Sequence, residues 1–285
     1  MKQAILITAY QDLIKLKDII EWFDADFDFY IHIDRKCKEP YGFLAQYPNV
    51  SIITKYRIQW GSDRHLLAIL SLINQVCKSG PYSYVHLITG SDIPIKNIKD
   101  FKSFFSEINE SNYIEYFSLP HDTWLGEGGL QRIKYYWVGI RWFDARKRYR
   151  NIVGKIVKVQ RKLHICRDLS FEKKLWGGGT YWSLTGDAVN YLNQKMSDRK
   201  YLKHYLHSSV AEELWAQTIL LNSSLFSVEN NNLRFMKWVG NAASPSVLSK
   251  DDYDDICQSD AFFARKIELG TSNLLVEKLI EHNVQ

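Results

Sequence analysis

Short apolar runs alternate with amphipathic stretches over the first hundred residues of the chain. Four of the runs predict buried strands, and two of the stretches have the apolar spacing of helices. The predicted strands are Ala4–Ala9, Phe29–Ile33, Val50–Thr54 and Tyr84–Thr89, and the predicted helices are Asp12–Trp22 and Arg64–Lys78. This alternation predicts an α/β fold with a mostly parallel sheet covered by helices on both faces.

Polar side chains gather where the predicted strands end. His32 and Asp34 lie at the end of the second strand, Ser91 and Asp92 follow the fourth, and Glu115 lies in a later apolar run. An isolated Asp at such a place commonly caps the next helix. Ligands of parallel sheets, however, bind beyond the carboxyl ends of the strands. Several polar clusters at one edge therefore favour a functional site there.

Composition narrows the class of protein. The chain has 285 residues, 46% of them hydrophobic, with no repeats and no low-complexity linker, which predicts a single globular domain. Its four cysteines are widely spaced, which argues against structural zinc and favours free thiols in a reducing cytosol. The first ten residues lead directly into a strand, and no apolar run reaches the length of a membrane span. We therefore expect a cytoplasmic protein.

The segment 132–167 is strongly basic. It contains twelve Lys or Arg residues and one acidic residue, Asp144, with Tyr and Trp side chains interleaved. A solvated basic helix would account for this composition. The interleaved aromatic residues also allow a polyanionic partner, either a nucleic acid or an anionic membrane surface.

Two later segments carry candidate chemistry. Trp176–Tyr181 contains three consecutive glycines, which allow close approach of the backbone, but it lacks the spacing of a P-loop or a Rossmann motif. Ala211–Leu221 predicts a helix with Glu212 and Glu213 in its first turn. Acidic residues are favoured at that position by the helix dipole alone.

Six segments, in this order, resemble the motifs of one enzyme family. They are His32–Lys36 (HIDRK), Gly90–Lys96 (GSDIPIK), Trp176–Tyr181 (WGGGTY), Ala211–Ala216 (AEELWA), Arg234–Trp238 (RFMKW) and Phe263–Lys266 (FARK). The family is that of the core-2/I-branching β-1,6-N-acetylglucosaminyltransferases, which also contains the peptide O-xylosyltransferases. The resemblance extends over roughly residues 4–268.

The resemblance implies a GT-A-like fold, a UDP-sugar donor carrying GlcNAc or xylose, and inversion at the anomeric carbon. It also implies that no divalent metal and no other cofactor take part. The chain agrees with the family here, because Tyr84–Thr89 leads into Gly90-Ser91-Asp92 instead of the Asp-x-Asp of metal-dependent GT-A enzymes. Asp24-Ala25-Asp26 matches that pattern but precedes a strand. A single carboxylate is a poor site for a metal that must also hold a diphosphate.

The resemblance also assigns roles to individual residues. Glu212 matches the catalytic base, and Glu213 matches its non-catalytic neighbour. The donor-binding residues are Asp34 for uridine, Lys266 with its neighbour Arg265 for the diphosphate, and Ser62 and Asp92. The acceptor-binding residues are Glu115, Arg132 and Trp238. Gly240 stands where the family has a second acceptor aromatic, which suggests a different acceptor. The family's second diphosphate-binding Arg has no counterpart in Ser244–Asp260.

On this interpretation residues 1–120 form a nucleotide-binding half and residues 121–285 an acceptor and catalytic half, with 132–167 as a basic excursion. The expected partners are the UDP-sugar, a carbohydrate or lipid-linked glycan acceptor and the anionic inner face of a membrane, with no nucleic acid. A bacterial enzyme that builds a surface polysaccharide fits these features. Two alternatives remain open: a nucleic-acid-binding protein that uses segment 132–167, and a catalytically inactive sugar-binding relative.

Overall fold

The computed structural model describes residues 2–107, 110–142, 150–240, 242 and 244–284. The strands in these ranges are β1 (Gln3–Ala9), β2 (Phe27–Ile33), β3 (Val50–Ile53), β4 (Tyr84–Thr89), β5 (Asp92–Pro94), β6 (Asn112–Ile114), β7 (Phe117–Ser118), β8 (Trp176–Gly177), β9 (Trp182–Thr185), β10 (Val228–Glu229), β11 (Arg234–Met236) and β12 (Phe263–Arg265).

The helices in the same ranges are α1 (Leu16–Trp22), α2 (Arg64–Ser79), α3 (Ile98–Glu107), α4 (Gln131–Lys134), α5 (Arg150–Lys162), α6 (Gly186–Ser197), α7 (Arg199–Leu202), α8 (Trp215–Leu221), α9 (Tyr253–Gln258) and α10 (Asn273–Val284). Short 3-10 helices cover Leu13–Lys15, Gly42–Gln46, Ala211–Glu213 and Lys250–Asp252. The four strands predicted in the first hundred residues are present, with ends within two residues of the expected ones, and α2 ends one residue later than predicted. The helix expected over Asp12–Trp22 is instead a 3-10 helix, Leu13–Lys15, continued by α1 from Leu16.

The central sheet has seven strands in the order β10-β6-β9-β4-β1-β2-β3. Its pairs are parallel except those of β9, which runs antiparallel to β4 and β6. The expectation of a mostly parallel α/β sheet flanked by helices is therefore confirmed. Every residue of β1 is buried, which explains why its sequence is a continuous apolar run instead of an alternating one.

Each face of the sheet packs against its own set of helices. Leu6 lies in a hydrophobic cluster that includes side chains of α2, α6 and α8. Ile5 and Ile7 lie in a second cluster with side chains of α1 and α3. This division follows from the strand geometry, because successive side chains point to opposite faces.

Three polar side chains lie side by side at the carboxyl end of the sheet face that α2 covers. Thr8, in β1, is the register partner of His32 in β2 and of Thr89 in β4. These residues come two positions after Leu6, Tyr30 and Leu87 of the first cluster, so they point to the same face. The apolar core thus gives way to three neighbouring polar side chains at the carboxyl end of the sheet.

A second, three-stranded sheet has the order β11-β12-β5. Its strands β12 and β5 are antiparallel, and Arg265 is the register partner of Asp92. This pairing brings the carboxy-terminal part of the chain against the loop that follows β4.

The basic segment differs from the single solvated helix that would explain its composition. It forms α4 and α5, and positions 143–149, which include Phe143, Asp144 and Tyr149, lie outside the described residues. Five of its cations bind other groups of the protein: Arg132 pairs with Glu213, Lys134 and Arg161 with Glu127, Arg141 with Asp63, and Arg167 donates to backbone carbonyls of residues 203, 204 and 206.

Within the described part of the chain, no helix is both long and apolar enough to cross a membrane.

Candidate active site

A chain of hydrogen bonds connects the central sheet to one carboxylate. Thr8 Oγ1 lies 3.2 Å from His65 Nε2, and His65 Nδ1 lies 3.0 Å from Glu212 Oε1. The carboxylate of Glu212 is buried, with 6% of its side chain exposed. Its second oxygen, Oε2, is buried and has no hydrogen-bond partner among the described residues. An unpartnered buried carboxylate oxygen is costly unless a ligand completes it.

The local backbone directs Glu212 and its neighbour to different sides. The single helix expected over Ala211–Leu221 is instead a 3-10 helix, Ala211–Glu213, followed by α8 after a break at Leu214. Val210, just before it, has φ 53° and ψ 48°, a left-handed conformation that is unfavourable for a β-branched residue. Such strain is commonly found at functional sites. Here it accompanies a turn that points Glu212 at His65 and Glu213 at Arg132.

Glu213 is held by a cation. Arg132 Nη1 lies 2.5 Å from Glu213 Oε2, and the guanidinium of Arg132 stacks on Trp124 with 3.6 Å to the ring centroid. Burial raises the pKa of Glu213, and the charge of Arg132 opposes this rise. Of the two adjacent carboxylates, Glu213 already has a cationic partner, whereas Glu212 has a free oxygen.

Two further buried polar atoms near this chain of hydrogen bonds have no hydrogen-bond partner among the described residues. They are the Ser62 hydroxyl and His32 Nδ1. Ser62 forms a β-bridge with Ser209, three residues before Glu212. His32 Nε2 accepts a hydrogen bond from the Tyr56 amide at 3.1 Å, and burial lowers the pKa of His32 to about 4. The imidazole is therefore neutral near neutral pH.

The candidate donor-binding cation Arg265 is fixed on several sides. Its Nη1 lies 3.1 Å from Asp92 Oδ1 and donates to Thr89 Oγ1 at 3.0 Å, while the guanidinium stacks on Tyr181 at 4.4 Å. Thr89 Oγ1 in turn donates to Asp92 Oδ2 at 2.9 Å. Asp92 is 3% exposed, so its carboxylate is occupied by protein groups. It positions Arg265.

The side chains of Lys266 and Asp34 also have partners within the protein. Lys266 Nζ pairs with Glu268 Oε1. Asp34 accepts hydrogen bonds from the backbone amides of Lys36 and Ile58 at 2.8 and 3.2 Å. The Asp34 carboxylate thereby shapes the loop after β2. Its remaining lone pairs could accept hydrogen bonds from the base of a nucleotide.

The ring of Tyr181 carries the stacked guanidinium of Arg265, with 4.4 Å to the ring centroid. Burial raises the pKa of its hydroxyl, and the charges of Arg265, Asp92, Glu213 and Glu212 also act on it.

Glu115 is pressed against the glycine segment. A Cβ atom on Gly179 would lie 2.7 Å from Glu115 Oε2, and one on Gly178 would overlap the Glu115 carbonyl oxygen. Gln217 donates to the Gly179 carbonyl at 2.7 Å and holds this arrangement. Burial raises the pKa of Glu115, against a lowering effect of a Gly179 backbone hydrogen bond. The glycines are thus required for close approach to Glu115.

Trp238 stands apart from these contacts. More than half of its side chain, 54%, is exposed, and within the described part of the chain no recorded hydrogen bond or ring contact joins it to the groups above. An exposed aromatic ring is suited to stacking on a sugar, so its acceptor role stays a prediction.

Several site residues were missed by sequence reasoning. Thr8 and His65 extend the site by their hydrogen bonds towards Glu212, and the buried Lys15 donates from Nζ to the Ile267 carbonyl at 2.7 Å. Burial lowers the pKa of Lys15. Thr8 left one sequence signal, since it is a polar residue near the end of an otherwise apolar strand. His65 left none, because it lies in the first turn of an ordinary amphipathic helix.

The described residues contain no group of three or more His, Cys, Asp or Glu side chains arranged to hold a metal ion.

Solved structures resemble the chain only distantly. S. aureus TarS 1–349 is 11% identical with a TM-score of 0.39, over 90% of this chain and 63% of that one, so the chain spans less than two thirds of it. A proposed glucose-1-phosphate thymidylyltransferase from Bacillus anthracis, in complex with a sucrose, is 10% identical with a TM-score of 0.35, over 80% and 86%. No significant match among curated proteins was found.

The family comparison covers nearly the whole chain. The family model described as Core-2/I-Branching enzyme matches residues 4–261. The match confirms the family, and with it the glycosyltransferase class, that the six sequence motifs predict. The chain belongs to the Core-2/I-Branching enzyme family.

Proposed function

We propose that the protein transfers a sugar from a UDP-sugar to a hydroxyl group of a carbohydrate or glycolipid, with inversion and without a divalent metal ion. The observation that carries this proposal is the state of Glu212. One oxygen of its carboxylate is held by His65, and the other is buried without a partner among the described residues. A general base needs a free oxygen at a defined position, within hydrogen-bond reach of the proton that it takes.

In the proposed reaction Glu212 Oε2 accepts the proton of the acceptor hydroxyl as that oxygen attacks the anomeric carbon. The bond between the anomeric carbon and the diphosphate oxygen breaks on the opposite side, and UDP leaves with the electron pair. A single displacement of this kind inverts the anomeric configuration. The protonated Glu212 returns its proton to solvent after the product leaves.

The charge that develops on UDP must be compensated. Fixed cations can do this in a preorganised site, and Lys266 and Arg265 are adjacent in sequence at the end of β12. Arg265 is already oriented by Asp92 and Thr89. Because Asp92 is occupied by that ion pair, it is poorly suited as a metal ligand, which supports a metal-free reaction. GlcNAc and xylose are the sugars that family membership favours.

A lipid-linked acceptor and a peripheral contact with an anionic membrane complete the proposal. The observation that favours this contact is the outer face of α5. Ile152 and Val159 of α5, and Leu163 directly after it, are 50–61% exposed, and the helix spacing of about 100° per residue puts them within one narrow stripe. The exposed Lys155, Lys158 and Lys162 follow one edge of this stripe, and α5 contains no acidic residue. Apolar stripes bordered by lysines are typical of helices that lie on anionic membranes.

The test of the proposed function is a screen of UDP-sugars and of sugars on other nucleotides. A ligand at about a hundred times its Kd should raise the unfolding temperature by roughly 5–10 °C. We expect such protection from UDP-GlcNAc or UDP-xylose, together with slow hydrolysis of the sugar that Glu212→Gln abolishes. Protection by a UDP-sugar with no hydrolysis and no transfer would favour an inactive relative, and protection only by nucleic acid would contradict the proposal.

A further inference from the structure

We infer that His65 is a positioning residue that holds Glu212 in the orientation required of a general base. This inference rests on the proposed role of Glu212 as the base. It is carried by the hydrogen-bond chain from Thr8 through His65 to Glu212, with distances of 3.2 and 3.0 Å.

Both ring nitrogens of His65 are already used. Nε2 contacts Thr8 Oγ1 and Nδ1 contacts Glu212 Oε1, so neither is left for a substrate. His65 therefore acts through Glu212 and not on the sugar.

The direction of the hydrogen bonds follows from what each group can offer. An ionised carboxylate only accepts hydrogen bonds, so His65 Nδ1 must carry a hydrogen and donate it to Glu212. In the neutral imidazole Nε2 then has a lone pair, which accepts from the hydroxyl of Thr8. The rarer Nδ1–H tautomer is thus specified by its neighbours on both sides.

The structural consequence is that Glu212 is attached to rigid elements. Its own backbone lies in a 3-10 helix of three residues, which offers little support. His65 lies in the first turn of α2, a helix of 16 residues, and Thr8 lies in the fully buried strand β1. Fixing Oε1 from these elements leaves Oε2 at a defined position, which is the arrangement that preorganised catalysis needs.

The kinetic test compares three substitutions at position 65. An Asn amide can place its nitrogen near the position of Nδ1, whereas a Gln amide reaches the position of Nε2. We expect His65→Ala and His65→Gln to lower kcat by about tenfold to a hundredfold, the usual cost of a misplaced catalytic group, with an unchanged KM for the donor. His65→Asn should recover most of kcat.

A double substitution separates positioning from general structural support. In a Glu212→Gln background, His65→Ala should lower kcat no further, because residues that act as a unit are not additive. The inference would be overturned if the two substitutions lowered kcat independently, so that the double variant lost the product of the two single effects. A His65→Asn enzyme as slow as His65→Ala would overturn it as well. Thermal unfolding of each variant checks that the fold is intact.

The contact can also be tested without activity, by nitrogen NMR of the histidine side chains at mildly alkaline pH. We expect His65 in the Nδ1–H tautomer, and loss of this preference in Glu212→Ala. An Nε2–H tautomer in an active enzyme would overturn this inference but would leave the proposed function standing. An Nδ1–H tautomer in a protein that transfers no sugar from any UDP-sugar would contradict the proposed function while supporting the contact.

Discussion

Asp92 and Arg265 face each other in adjacent antiparallel strands, with Arg265 Nη1 3.1 Å from Asp92 Oδ1. Both side chains are largely buried, at 1% and 11% exposed. Removing one partner of a buried ion pair leaves an uncompensated charge, which typically costs about 3–5 kcal/mol. The acid that follows β4 is therefore committed to an internal cation.

Turnover is expected to survive chelation of divalent ions. Lys266→Ala should weaken UDP binding by roughly tenfold to a hundredfold, as expected for loss of a hydrogen bond to a charged group. Isothermal titration with UDP measures the affinity, and Lys158→Ala, an exposed lysine of α5, is the matched control. Activity that disappears in EDTA and returns with manganese would refute the metal-free reaction.

Glu212→Gln should lower the transfer rate by roughly a hundredfold to ten-thousandfold, the usual effect of losing general base catalysis. UDP affinity should persist, because the nucleotide is held by other residues. Glu213→Gln should have a much smaller effect on rate, since Glu213 is paired with Arg132. Single-turnover transfer assays with both variants measure this, and the opposite ranking would show that the base has been assigned to the wrong carboxylate.

Binding to liposomes should depend on the face of α5. Each lysine near an anionic surface contributes about 1 kcal/mol, so reversal of Lys155, Lys158 and Lys162 to Glu should abolish sedimentation with anionic liposomes. The same reversal at Lys99, Lys200 and Lys250, which are exposed elsewhere, should have a smaller effect. Equal, negligible binding of the wild type to anionic and neutral liposomes would argue against membrane contact.

The glycines beside Glu115 should respond differently to Ala. Gly178→Ala places a Cβ against the Glu115 backbone carbonyl, and we expect a loss of about 1–3 kcal/mol of unfolding free energy, as for other overpacked sites. Gly179→Ala meets the flexible Glu115 carboxylate at 2.7 Å and the Asn232 amide at an ordinary contact distance of 3.5 Å, so it should mainly raise the KM of the acceptor.

Gly154 in α5 is the control for these substitutions, because a Cβ there would meet nothing within 4 Å. Gly154→Ala should stabilise the protein by up to about 1 kcal/mol through helix propensity. Urea unfolding of the three variants measures these changes. Equal stability of the Gly178 and Gly154 variants would contradict the close packing at Glu115.

Stability should fall as the pH decreases below about 6.5, the ordinary pKa of histidine in an unfolded chain. Burial lowers the pKa of His32 to about 4 and that of His86 well below its ordinary value. The unfolded chain therefore binds more protons in this window. Each buried histidine that stays neutral lowers the free energy of unfolding by up to about 1.4 kcal/mol for each unit by which the pH falls. The stabilising contribution of His32 is complete above about pH 6.5 and is lost as the pH falls towards about 4.

The raised pKa of Glu115 acts with the opposite sign, so the histidine effect is measured as a difference. Urea unfolding of wild type and His32→Gln should show a slope with pH that is smaller in the variant by about 1.4 kcal/mol per unit. Identical slopes would show that His32 is not held neutral. His121→Gln serves as a control at a histidine hydrogen-bonded in an exposed position.

Local pattern alone determined much of the fold. The strand Tyr84–Thr89 has the predicted ends, and α2 has the predicted start, because burial and periodicity are properties of neighbouring residues. The ordered motifs identified the family, which the match over residues 4–261 confirms. Glu212 was selected by its motif, and the assignment of the base stays a prediction.

The contacts of the site were decided by the tertiary structure. His65 and Glu212 are 147 positions apart, and Asp92 and Arg265 are 173 apart. Strand register brings Asp92 to Arg265, and the packing of the 3-10 helix Ala211–Glu213 against α2 brings Glu212 to His65. Neither contact is visible in the periodicity of neighbouring residues. The same reason explains the basic segment. Composition gives the number of cations in this segment. The acids that pair with several of them, Asp63, Glu127 and Glu213, lie elsewhere in the sequence. Only the folded chain therefore distinguishes the paired cations from those exposed on α5.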